Sequence, residues 1–181
     1  MRIAAQLTPG SYVFAKECVL TGGFAFYLWF SPSDFSGDFV VTLGGYNPYF
    51  QRPAHYPAVP LLGINWTVAG SPLIFKGGAY IALTPRAIMA GGFLLATWNT
   101  TAIKVSFSLS ADFLIQWKPF YYQIRAGVSF SVRADLNLGI ARITLSVTVG
   151  AELRIWGPAF AGEATIHLSV ISFTLAFGAG S

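Results

Sequence analysis

From Ile103 onward, apolar and polar residues take turns along the chain. Ile103, Val105, Phe107, Leu109, Ala111, Phe113, Ile115 and Trp117 share one parity, while Lys104, Ser106, Ser108, Ser110, Asp112 and Gln116 take the other. A period of two sends successive side chains to opposite faces of an extended strand, whereas a helix would scatter them around its circumference. The pattern recurs from Phe120 to about Leu138, with Tyr122, Ile124, Ala126, Val128, Phe130, Val132, Ala134, Leu136 and Leu138 on one side. A third segment sets Ala141, Ile143, Leu145, Val147, Val149, Ala151, Leu153 and Ile155 opposite Arg142, Thr144, Ser146, Thr148, Glu152 and Arg154. A fourth carries Phe160, Ala164, Ile166, Leu168 and Val170, then slips phase at Val170-Ile171, so that Phe173, Leu175 and Phe177 continue it. A one-residue slip is the signature of a β-bulge.

Charge tests this reading independently. All ten Asp, Glu, Lys and Arg between Ile103 and Val170 fall on the polar parity of their own segment, counting Lys118 at the first turn. Ten coin tosses would agree about once in a thousand. The links Trp117-Lys118-Pro119-Phe120, Asn137-Leu138-Gly139 and Trp156-Gly157-Pro158 carry turn residues and are too short for a parallel crossover, so the strands are antiparallel. The stretch 111–120 resembles 151–160, an offset of one hairpin, with Thr84-Pro85 as an earlier degenerate copy of the turn. Such repetition describes a sheet that grows by adding units.

The chain divides near Trp98. Residues 99–181 hold the four long strands, and residues 1–98 hold shorter ones: Tyr12 to Leu20, Gly23 to Phe30, Asp38 to Leu43, and a hairpin of Leu73 to Leu83 with Ala87 to Trp98. Ala87-Ile88-Met89-Ala90 reads as a short helical turn. Residues 44–60 form an irregular loop rich in proline and aromatic rings. Together these predict one all-β domain over 1–181. Its architecture is a large, twisted antiparallel hairpin meander of about nine or ten strands, the long ones amphipathic, closed or folded over itself as a barrel or sandwich.

Composition excludes several classes. Charged residues are 10% and apolar residues 54%, against about 25% charged in ordinary soluble domains. Disorder requires the opposite balance. The net charge of +4 comes from scattered Lys and Arg with no basic run, which argues against a nucleic-acid partner. Cys18 is the lone cysteine, so no disulfide framework exists within the chain; it fits a reducing compartment without establishing one. Pro9 and Gly10 stand where the apolar core of a secretory signal belongs. No uncharged apolar stretch reaches the length of a membrane helix. The compartment is left open.

The apolar parities of the four long strands add up to a face on the order of 1,000 Å², beyond the roughly 300–600 Å² that monomers leave exposed. It has to be covered. The N-terminal strands folding over it, lipid or another apolar ligand, further copies of the chain, and a bilayer are the four candidates. Outer-membrane barrels alternate in this way and place aromatic rings near strand ends, as Trp98, Trp117, Tyr121, Tyr122 and Trp156 could stand here. Their strands need only about 9–11 residues, and a membrane is therefore not the favoured partner.

Chemistry is sparse. His55 and His167 have no second ligand at metal spacing, and no cofactor motif occurs. Glu152 and Glu163 form the one carboxylate pair a hairpin brings together, with Arg142 and Arg154 at hand to neutralise them; Asp112 with Lys104 reads likewise. The most unusual stretch is the loop. Tyr46, Tyr49, Phe50 and Tyr56 offer flat rings and Arg52 and His55 polar contacts, as a recognition loop for a ligand or partner would; the competing reading is a stiff plug capping the sheet. No catalytic, metal or cofactor residue is assigned. The expected function is non-enzymatic: a structural or assembly module that associates with copies of itself. A carrier or groove for lipid or another apolar ligand is the alternative, and a membrane-inserted β-barrel comes third.

Four blocks in order carry a family likeness: GDFVVTLGGYNPYFQRP.HYP from Gly37, GGAYIALTPRAIMAGG from Gly77, ADFLIQWKPFYY from Ala111 and IWGPAFAGEA from Ile155. From about Gly37 to Gly178 the chain resembles an uncharacterised domain-of-unknown-function family found in very large bacterial and fungal proteins. That resemblance implies a short or truncated relative of such proteins. It brings no activity, cofactor or site residue with it.

Overall fold

The computed structural model describes residues 1–137, 139 and 141–179. Leu138, expected on the apolar side of the second long strand and in its turn, lies outside them. The described residues form thirteen strands and no helix. They are β1 (Arg2–Gln6), β2 (Tyr12–Val13), β3 (Ala15–Thr21), β4 (Gly23–Leu28), β5 (Phe39–Leu43), β6 (Leu62–Thr67), β7 (Leu73–Leu83), β8 (Ala87–Asn99), β9 (Ile103–Trp117), β10 (Phe120–Asn137), β11 (Arg142–Gly157), β12 (Ala161–Leu168) and β13 (Ile171–Gly178).

All pairings are antiparallel. The main path runs β1-β4-β5-β7-β8-β9-β10-β11-β12-β13, with β7 onward in sequence order as a meander. One edge of β7 forks. Ile81–Leu83 pairs with β5, while Ile74–Ala79 pairs with β6, which leads on to β3 and β2. The sheet is not closed into a barrel, since β1 and β13 end the path at opposite edges. The N-terminal strands lengthen the sheet; they do not lie over the long strands. β1 and β6 are additions to the strands read from sequence, and Ala87–Ala90 begins β8, not a helical turn.

The phase slip at Val170-Ile171 is a hairpin, not a bulge. β12 stops at Leu168, Ser169 adopts a φ of 33°, and Ile171 pairs back onto Leu168. A two-residue turn exchanges the parity of the next strand just as one inserted residue does, so the alternation alone does not separate them.

Register carries the two faces across the sheet. Ala96, Phe107, Phe130, Val149, Leu168 and Ile171 stand in one transverse row, each paired with the next. One residue over on each strand, Leu95, Ser108, Ser129, Gly150, His167 and Ser172 form a second row on the opposite face. The apolar face continues through Phe75 and Ile81 on β7, Ile64 and Trp66 on β6, Val41 on β5, Phe26 on β4 and Ile3 on β1. Every Asp, Glu, Lys and Arg on β7 to β13 lies on the other face.

The packed core sits on the polar-parity face. Val40, Thr42, Tyr80, Ala82, Ala87, Met89 and Leu114 are buried there, roofed by loop 44–60. Leu114, an aliphatic side chain on the polar parity of β9, is only 2% exposed. The apolar face of the long strands is open instead: Phe107, Phe130 and Leu168 are exposed, and Val147 reaches 56%. Of the four candidates for covering this face, the N-terminal strands lie beside the long strands in the sheet. The loop is short, and it is spent on the opposite side.

Candidate functional site

Loop 44–60 is seated from its first residues. Gly44 and Gly45 take positive φ values of 76° and 97°, which an L side chain would resist. The Gly44 amide donates to the Gly23 carbonyl at 2.8 Å, and Thr42 Oγ1 donates to the Gly45 carbonyl at 2.5 Å. Buried Asn47 then ties loop to sheet. Its amide faces Met89 Sδ at 3.4 Å, its Nδ2 donates to the Phe113 carbonyl at 3.3 Å, and its Oδ1 accepts from the Tyr49 amide at 2.8 Å.

The six loop residues singled out from sequence divide by role. Tyr46 stacks with Phe50 and Tyr56 and donates to the Pro57 carbonyl at 3.0 Å. Arg52 donates to the Tyr56 carbonyl at 2.5 Å and lies over the Tyr46 ring. Tyr56 is buried. Its hydroxyl and His55 Nε2 both donate to Asp38, one to each carboxylate oxygen, at 2.7 Å. Phe35 stacks flat on the His55 ring at 3.9 Å. These five side chains are therefore turned toward one another, as a plug requires. Tyr49 differs. It is half exposed, and Arg125 of β10 places its guanidinium 3.8 Å from the ring centroid while donating to the hydroxyl at 2.7 Å.

The plug's electrostatics follow from this packing. Burial pushes the Tyr46 phenol up to about 12, offset in part by Arg52. Burial and then the Asp38 carboxylate hold Tyr56 well above the usual phenol range, and burial with Asp112 does the same for Tyr80. The plug thus keeps its hydroxyls protonated as donors. Asp38, Tyr80, Asp112 and Arg125, which hold the plug, were not legible as a group. Asp112 faces Tyr80 at 2.5 Å and is in register with Arg125, not with Lys104 as its sequence spacing suggested.

Beyond the plug, the polar face is hollow. A trough of about 420 Å³ is lined by Phe93, Leu95, the Ser108–Ser129–Gly150 row, Glu152 and His167. Ser106, Ser108 and Ser110 are half-buried with no segment over them, whereas Phe107 and Leu109 on the reverse side are exposed. Beside the trough, on the same face, Arg154 Nη2 lies 3.5 Å from Glu152 Oε2, the ion pair anticipated from sequence. His167 Nδ1 shares a 2.9 Å hydrogen bond with Ser172 Oγ, but its Nε2 stands 3.9 Å from Glu152, too far for a relay. Among the described residues, no three His, Cys, Asp or Glu are placed to hold a metal.

Compared with known families, residues 1–181 match the model described as "Family of unknown function (DUF6603)". No curated protein and no solved structure matches the chain.

Proposed function

Because the chain belongs to DUF6603, a family whose description assigns no activity, its function is read from its own residues, and we propose that it is a non-enzymatic structural module whose sheet works with its apolar face against hydrocarbon and its polar face on water. The observation that carries this reading is the apolar face of β7 to β13, which carries no Asp, Glu, Lys or Arg and is exposed along the long strands. Leaving it in water costs about 25 cal/mol per Å².

The aromatic residues fit the same reading. On the apolar face Trp66, Phe75 and Trp98 stand near one end of the strands, and Trp117, Phe120 and Tyr122 near the other. Of the five rings named at strand ends from sequence, Tyr121 and Trp156 turn to the polar face. Trp98 pairs with Val105, and Val105 to Trp117 spans about 40 Å along β9. At a tilt of about 40–45° this is roughly 30 Å, the hydrocarbon thickness of a bilayer. β9 to β11 outrun that band, which leaves their turns in water.

Flotation with vesicles of neutral phosphatidylcholine tests the reading, since a zwitterionic surface gives the net positive charge nothing to bind. The chain is expected to float, and Leu145→Asp/Val147→Asp to stay in the aqueous phase. Ser146→Asp, between them on the opposite face, should float as the parent does. A wild-type chain that is monomeric in buffer and does not float overturns the proposal, as does a lipid-free dimer that buries Leu145 and Val147.

A further inference from the structure

The trough on the polar face has a floor of bare backbone. Gly127 and Gly150 lie in its lining, inside β10 and β11 and diagonal to one another. Neither has a positive φ, so the backbone itself does not call for glycine there. A Cβ at either position would meet nothing closer than 3.1 Å, and its nearest neighbours belong to the adjoining strands. Gly91, Gly157 and Gly162 lie instead beneath the rings of Tyr80, Tyr122 and Phe177. Glycine weakens a strand interior, and it is found there where a ligand or another backbone comes close. Here no other backbone takes that place.

The groups around the two glycines share one chemistry. The residues Ser108, Ser110 and Ser129 are half-buried, and their hydroxyls have no hydrogen-bond partner among the described residues. The Glu152 carboxylate stands 3.5 Å from Arg154 and 3.9 Å from His167 Nε2, and it accepts no hydrogen bond from either. His167 is steadied from behind, through Nδ1, by Ser172 Oγ. Phe93, half exposed, and Leu95 supply an apolar wall on the β8 side. Glu152 opposes an anion and Arg154 a cation, which leaves a neutral ligand as the best match.

We propose that this trough binds a neutral pyranose sugar. Such a ring carries C–H bonds on its faces and hydroxyls around its rim. Its face lies over Gly127, Gly150 and the edge of Phe93. Two adjacent hydroxyls donate to the Glu152 carboxylate, and the serines and His167 Nε2 bond the rest of the rim. The volume of about 420 Å³ falls within the range of small-molecule sites, about 300–1,000 Å³. In the lipid-facing reading this side of the sheet is on water, so the site stands or falls separately from it.

Imidazole NMR of the full chain tests the proposal, with methyl glucoside, methyl galactoside and methyl mannoside as probes. The chain has two histidines, and His55, bonded to Asp38 within the plug, is the internal reference. At least one glycoside is expected to shift the His167 signals saturably and leave His55 in place. Glu152→Gln should weaken that binding about tenfold or more, as losing a charged hydrogen-bond acceptor does. Gly127→Val should abolish it with an unchanged circular dichroism spectrum, because valine fills the floor and suits a strand. Glucuronate and glucosamine should bind more weakly than the neutral glycosides. No saturable His167 shift with any of the three glycosides overturns the proposal. A shift undiminished in Glu152→Gln and Gly127→Val overturns the placement, and equal binding of the charged sugars overturns the ligand class. If Gly127→Val fails to fold, the affinity of Glu152→Gln decides alone.

Discussion

Tyr80 reaches over Gly91 and donates its phenolic proton to Asp112 Oδ1 at 2.5 Å. The three residues lie side by side on β7, β8 and β9. The hydroxyl crosses the middle strand because that strand has no side chain there; a Cβ at Gly91 would overlap both the phenol and the carboxylate. The same row continues through Arg125 and Arg154 to Glu163. Rings also overlie Gly157 from Tyr122 and Gly162 from Phe177 on paired strands, a device that shields glycine backbone in sheets.

Gly91→Val is expected to destabilise by about 1–3 kcal/mol, the usual range for overpacking a filled site. Gly127→Ala, whose Cβ would meet the Ser110 Oγ at 3.2 Å and otherwise only atoms at ordinary van der Waals distance, should cost less. Urea unfolding followed by circular dichroism, with unchanged m-values, measures both. Equal losses would contradict the Tyr80 bridge.

Leu114→Ala is expected to cost about 2–5 kcal/mol, as for a buried leucine. Leu109→Ala, on the open face of the same strand, should stay within about 1 kcal/mol in lipid-free buffer. The comparison asks which face of β9 holds the core. A larger loss at Leu109 would place it on the apolar face.

Alkaline titration should unfold the plug. Tyr46, Tyr56 and Tyr80 have folded-state values raised above the ordinary 10.0. A raised value means that the folded state holds the proton more tightly. The stability this contributes is fully present below pH 10.0 and is lost as pH rises through about 12 for Tyr46, and higher for the other two. Tyrosinate absorbance should therefore rise in two steps, the later one accompanied by loss of β-sheet signal. One single step near the ordinary value would contradict the packing of these rings.

At the opposite end of the sheet the sign reverses. The Thr144 hydroxyl donates to Asp135 at 2.6 Å, and this bond, followed by Arg133, holds the carboxyl below its ordinary 3.8. A lowered value contributes stability that is present above pH 3.8 and lost as pH falls through the folded-state value. The side chain is exposed, so its effect on global stability is small. Carboxyl NMR titration should place Asp135 below 3.8 in the parent and nearer to it in Thr144→Val. No movement in that variant would remove the hydroxyl as the leading cause.

The loop shows where local reading ends. Its rings and prolines mark residues 44–60 as ordered. Whether Tyr49 or His55 turns outward depends on Arg125 and Asp38, which lie outside the loop and are brought to it by pairing through β5, β7 and β9. Leu114 makes the same point within one strand. Alternation assigns a side chain to a face, and depth on that face depends on what lies above it. Here that is Asn47 and its neighbours.

The sequence by itself determined that the strands β9 to β13 are extended, that their two faces differ in chemistry, and that every charge keeps to one of them, because a period of two is a local property of a strand. Only the tertiary structure decided the rest. It placed the N-terminal strands beside the long ones, laid the aromatic loop on the polar side, and left the apolar side of the long strands exposed. Those outcomes depend on register and strand order, and each is set by contacts between residues far apart in the chain.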